Sequence, residues 1–187
     1  MLKRLISPLV FAFFTTSCIN SSDLTLVRSA EYGAYTSGDA VLAASHSPIK
    51  IILQESISSP EPSAAIASAM EQYGPKWFRA TYSSTMINHN TQGYELRWVY
   101  NAPININVNR LCDSGYMNSL EVQTSVTNVV TAAFCRKSTF LSSIRATIVE
   151  DIGTENFKRT IGYMGRELMP IKNPDRIENC KTIEECL

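Results

Sequence analysis

The sequence carries no net charge: 17 Lys and Arg balance 17 Asp and Glu among 187 residues. A chain without a basic excess has no field to gather polyanions, so nucleic acid is not an expected partner. Histidine is scarce. There are two, His46 and His89, in the loop-like contexts SHSP and NHN. HExxH, the Walker phosphate loop, GxGxxG, GxSxG and the EF-hand calcium pattern are all missing, which removes the usual sequence signatures of metal, nucleotide and nucleophile-elbow chemistry. On that basis no metal, no cofactor and no catalytic residue is assigned. Glycine shows no collagen-like period, and no internal repeat of solenoid length occurs. What remains is 44% hydrophobic and 18% charged residues, a composition too apolar for intrinsic disorder and suited to one globular domain.

The amino terminus departs from that average. Lys3 and Arg4 precede an apolar run from Leu5 to Phe14, then Thr15, Thr16 and Ser17 lead to Cys18. This is the layout of a secretory signal peptide. The run is about half the ~20 residues of a membrane-spanning helix, and Pro8 interrupts it. The TTSC segment resembles bacterial lipoprotein signals, in which such a cysteine is lipidated and becomes the first mature residue; Thr15 stands where Leu is usual. The resemblance implies residues 1–17 as signal peptide, 18–23 as lipidated cysteine and short tether, and 24–187 as a single periplasmic domain. Ile19, rather than Asp, follows the cysteine and favours the outer membrane. Cleavage leaves 170 residues with 15 basic and 17 acidic side chains, a net charge of −2. Such a chain buries about 70% of its unfolded surface.

With Cys18 assigned to lipid, Cys112, Cys135, Cys180 and Cys186 remain. Four cysteines permit three pairings. An exported protein meets an oxidising compartment, and no CxxC or histidine cluster points to zinc or redox chemistry, so disulfides are expected. Cys112 with Cys135 and Cys180 with Cys186 is the favoured arrangement. The first would stabilise by about 3 kcal/mol in the chain-entropy model, and the second would order the polar tail.

Strand-like segments dominate the remainder. Ala40 to Ala44 is a brief apolar run, and Ile49 to Leu53 is β-branched. In GYELRWVYNAP, Tyr94, Leu96, Trp98 and Tyr100 share one face, with Glu95, Arg97 and Val99 on the other, the pattern of a half-buried strand. Ile104, Ile106 and Val108 alternate with asparagines and suggest another extended piece. Leu120 and Val122 are expected to pair across a turn at Thr127 and Asn128 with Val130, Ala132 and Phe134; Ile144, Ala146 and Ile148 supply a further strand. Two helices are predicted. One begins in SSPEPS, buries Ile66, Met70 and Tyr73, and ends at Gly74-Pro75; the other takes Thr154 as N-cap, buries Phe157, Ile161, Met164 and Leu168, and stops at Pro170. The expected fold is α+β, a mostly antiparallel sheet of five to seven strands with two helices packed on one face and the other face partly wet.

Few side chains suggest chemistry. Glu150-Asp151 and Glu184-Glu185 are adjacent, so each pair points apart, unlike the facing carboxylates of a glycosidase. TSGDA around Ser37 and Asp39 is too common to count. Trp98 reads as core beside Leu96, whereas Trp77 and Phe78 follow a helix end and, with His89, form the candidate binding surface.

In order, TTSC, DAVLAASHSP, YELRWVYNAP and VVTAAFCRKSTFLSS resemble a group of small lipoproteins of alphaproteobacteria. The resemblance implies a similar central strand, two cysteines and a closing helix, with no activity to transfer. A further analogy, on architecture alone, is to envelope-assembly lipoproteins of the lipopolysaccharide-transport accessory type. The leading expectation is a non-enzymatic protein, lipid-anchored through Cys18 and facing the periplasm, that binds or scaffolds an envelope protein or cell-wall component. The alternatives are a periplasmic hydrolase with a nonstandard site using His46 or His89, and a lipid or lipopolysaccharide assembly accessory.

Overall fold

The strongest alternation in the sequence becomes an interior strand of a six-stranded sheet. The computed structural model describes residues 26–45, 47–54, 62–85, 92–121 and 129–177. Its strands are β1 (Leu26–Tyr32), β2 (Ile49–Gln54), β3 (Tyr82–Ser83), β4 (Tyr94–Tyr100), β5 (Val129–Arg136) and β6 (Thr139–Thr147), lying side by side as β1-β6-β5-β4-β2-β3. The helices are α1 (Ser37–Ser45), α2 (Pro62–Tyr73), α3 (Ser114–Ser119), α4 (Glu155–Leu168) and α5 (Pro174–Ile177). The α+β class and the expected strand number hold. The sheet is mixed, however: β1, β6, β5 and β4 are antiparallel neighbours, whereas β2 runs parallel to β4 and β3. The reason is α2. A helix inserted between β2 and β3 returns the chain to the same end of the sheet, which parallel pairing requires.

One face carries the main core. Tyr94, Leu96, Trp98 and Tyr100 meet Ile49, Ile51, Val130, Phe134 and Ile144 from neighbouring strands. Helices α2 and α4 cover them with Ile66, Met70, Phe157, Ile161, Met164 and Leu168, so both predicted stripes are packing faces, except that Tyr73 at the end of α2 is only half-buried. Their ends are also where capping chemistry places them. Pro62 opens α2, and the Thr154 hydroxyl accepts from the Phe157 N–H at 3.2 Å to open α4. The two helices approach closely because Gly162 lies against the Tyr73 backbone and Gly165 against the Met70 sulfur; a Cβ at either position would collide.

The other face is not wet. Arg97 and Val99, on the supposedly exposed side of β4, are 5% and 0% accessible. They lie under an excursion that leaves β4 at Asn101, where a φ of 54° takes the left-handed conformation asparagine tolerates. Ala102, Leu111, Cys112 and Met117 from this excursion pack on Val99, Val129, Ala133 and Cys135. The extended piece expected at Ile104 to Val108 is therefore replaced by a turn and a single 3-10 turn at Val108–Arg110, leading into α3. Its carbonyls are bound by a side chain: Arg145 donates to Pro103 O at 2.9 Å and Ile104 O at 2.8 Å. A strand ladder is not needed.

Two further expectations change. The run Ala40 to Ala44 is helical, because the Asp39 carboxylate in the first turn of α1 accepts from both the N–H and the hydroxyl of Thr36 and so fixes the helix start. Leu120 is the C-cap of α3, Val122 to Asn128 lie outside the described residues, and the tight turn of β5 is with β6 through Lys137 and Ser138. The favoured Cys112–Cys135 disulfide is formed, with Cα atoms 5.5 Å apart. Cys180 and Cys186 lie outside the described residues.

Candidate functional site

Three places bring polar or aromatic side chains together. The first is at the end of the sheet where β1 leads into α1. The Asp39 carboxylate is buried there, and four donors converge on it: Thr36 N–H at 2.9 Å and Thr36 hydroxyl at 2.7 Å on Oδ2, Tyr94 hydroxyl at 2.9 Å and Arg136 guanidinium at 3.2 Å on Oδ1. Around it, Tyr94 stacks on Phe134 at 5.7 Å and Tyr35 meets the same ring edge-on at 6.2 Å. Burial raises the Tyr94 phenol above its ordinary range, with the Asp39 carboxylate adding to the rise and Arg136 opposing it. A carboxylate offers about four lone-pair positions, and here all are taken. The arrangement fastens α1 to β4 and β5 and leaves no lone pair to abstract a proton or bind a cation. Residue-type composition made TSGDA unremarkable; the available signal was the Thr-x-x-Asp spacing of a capping box.

The second is beneath the excursion. Arg97 forms an ion pair with Glu95, donates to Leu111 O at 2.9 Å and to the Ser114 hydroxyl at 3.0 Å. Glu95 pairs in register with Cys135, so the disulfide and the guanidinium hold the same segment from adjacent strands. Hydrogen bonding to a charged donor contributes about 1.5–3 kcal/mol where water is excluded.

The third is the aromatic pair predicted as a binding surface. Trp77 and Phe78 are half-buried, with ring centroids 4.5 Å apart in an edge-on arrangement, and pack on the main core. The Trp77 indole N–H donates to Met169 O at 2.9 Å, so this ring closes the gap between the end of α2 and the end of α4. His89 lies outside the described residues, as do His46 and Cys18. Trp98 is fully buried, as the alternation predicts. Asp151 is exposed and Glu150 half-buried just past β6; Glu184 and Glu185 lie outside the described residues.

Among the described residues, no group of three His, Cys, Asp or Glu side chains is placed to hold a metal ion, and no helix is long and apolar enough to cross a membrane. No protein-family model, curated protein or solved structure matches the chain. The chemistry of the three clusters is that of attachment: the first two fasten a connecting segment to the sheet, and the third joins the ends of α2 and α4.

Proposed function

We propose that the protein is an exported envelope lipoprotein of the kind found in alphaproteobacteria, anchored through Cys18, facing the periplasm, and binding or scaffolding another envelope component without a reaction of its own. The observation that carries this reading is the Cys112–Cys135 disulfide, which joins the excursion to β5 in a buried position. Such bonds persist where thiols are oxidised outside the cytoplasm, and that compartment is where the signal-like amino terminus would send the chain. The saturated carboxylate of Asp39 supports the non-enzymatic part, since its four donors leave it a latch.

Growth with an alkyne-bearing fatty acid should label the protein in membranes, and Cys18→Ser should abolish the label while leaving the disulfide intact. Label retained by the Cys18→Ser protein would remove the anchor. Crosslinking in intact cells should then recover a defined envelope partner with the wild-type protein. Repeated recovery of none, with the protein correctly anchored, would count against the scaffolding role.

A further inference from the structure

Six large apolar side chains are exposed among the described residues: Val41, Leu42, Ile104, Val149, Tyr163 and Ile171. Scattered singly, such residues require no explanation. Two of them are not scattered. Val149 follows β6 closely, and the last residue of that strand, Thr147, pairs with Leu26, the first residue of β1. Ile104 gives its carbonyl to Arg145, which pairs with Ser29 of β1. Arg145 and Thr147 have the same parity in β6 and face the side of the sheet that the excursion covers, and just past the strand Ile148 is buried in the main core while Val149 is exposed. Ile104, at 74% exposure in a turn, and Val149, at 46%, therefore share one end of the molecule. That end is where the chain enters the sheet.

Seven residues separate Cys18 from Leu26, and the eight steps between their Cα atoms reach at most about 28 Å. A lipid on Cys18 thus tethers the domain to the bilayer at this end. We propose that Ile104 and Val149 form a foot by which the domain rests on a lipid surface, an inference that rests on the anchor proposed above. Two aliphatic side chains are too few to recruit a soluble domain. An anchor converts their contact into an intramolecular event with a high effective concentration, so they orient a domain that is already held. Charge selects the surface. Glu150 and Asp151 lie next to Val149, and anionic headgroups would repel them, so the foot fits zwitterionic phospholipid. Val41, Leu42 and Ile171 belong to the far end: α1 follows the last residue of β1, and Ile171 follows Pro170, whose carbonyl accepts from the Tyr35 hydroxyl at 2.6 Å.

The test uses the full lipidated protein, purified from membranes and reconstituted in phosphatidylcholine vesicles containing a brominated chain. Ile104→Trp, Val149→Trp and Leu42→Trp are compared with the parent, whose Trp98 is buried and whose Trp77 is half-buried. Bromolipid should quench the added emission of Ile104→Trp and Val149→Trp but not of Leu42→Trp, and exchanging part of the phosphatidylcholine for phosphatidylglycerol should weaken that quenching. Protein that floats with the vesicles while Ile104→Trp and Val149→Trp are quenched no more than Leu42→Trp overturns the foot and leaves the anchor standing. Protein that does not float overturns both.

Discussion

The two faces of this sheet are covered by different means. On one, α2 and α4 lay periodic apolar stripes over β4, β5 and β6, and stability comes from buried hydrocarbon. On the other, an excursion with one 3-10 turn and one short helix covers Val99 and Ala133, held by a disulfide, by Arg97 and by Arg145. A face covered by regular helices needs little beyond side-chain shape. A face covered by irregular chain must have its backbone groups and its loop entropy managed one by one.

The largest test of that contrast is alkaline. Burial raises the Tyr32 phenol from 10.0 to about 12, with the nearby acidic side chain of Glu167 adding to the shift. Burial likewise raises Tyr35, Tyr82, Tyr94 and Tyr100. Each of these rings packs in or against the helix-covered core. Below the ordinary phenol value, folded and unfolded chains hold the same protons. As pH rises past it, the unfolded chain ionises first, so the stabilising contribution declines and is lost through the raised folded values. Far-ultraviolet circular dichroism and phenolate absorbance followed together should show cooperative unfolding coincident with phenol ionisation. Phenols that titrate near their ordinary value in a still-folded protein would show that the helical cover is not sealed.

Phe157→Ala should come next, at about 4 kcal/mol, because the ring is fully buried between α4 and the sheet. Denaturant melts should register it as a global loss. Removing both cysteines, Cys112→Ala with Cys135→Ala, should cost about 3 kcal/mol for a sequence separation of 23. Its signature should differ in place: hydrogen exchange should accelerate in residues 102–120 before it does in α2 or α4. Uniform acceleration would mean that the two covers form one cooperative unit.

The same division governs what the sequence discloses. The helix-covered face was legible because period two in Tyr94 to Tyr100 and the three-and-four spacing of Phe157 to Leu168 report burial directly, and Thr154 and Pro62 mark where helices begin. The disulfide was legible from compartment logic. The excursion was not, because its backbone is satisfied by long-range partners: Arg145 lies 41 residues from Ile104, and no local period encodes that contact. Alternation through Ile104, Ile106 and Val108 therefore imitated a strand. The parallel pairing of β2 was hidden for a similar reason, since short strands carry no mark of their direction. Of the candidate site, Trp98 and the cysteine pair were readable, while the Asp39 cluster was missed because its carboxylate and its guanidinium are 97 residues apart.

The smallest change is also the most discriminating. Ser114→Ala removes one hydrogen bond from the Arg97 guanidinium, which keeps its bonds to Glu95 and to the Leu111 carbonyl, so the cost in the wild-type background should be about 1 kcal/mol. The informative quantity is how that cost changes when the disulfide is absent. If polar contacts and the covalent link hold the excursion as one body, the cysteine-free protein already samples an opened excursion in which Ser114 has left Arg97. Ser114→Ala then loses much of its effect, and a double-mutant cycle should return a coupling of at least about 0.5 kcal/mol. An additive cycle would mean that Arg97 holds the excursion closed without help from Cys112, making the second face two independent attachments.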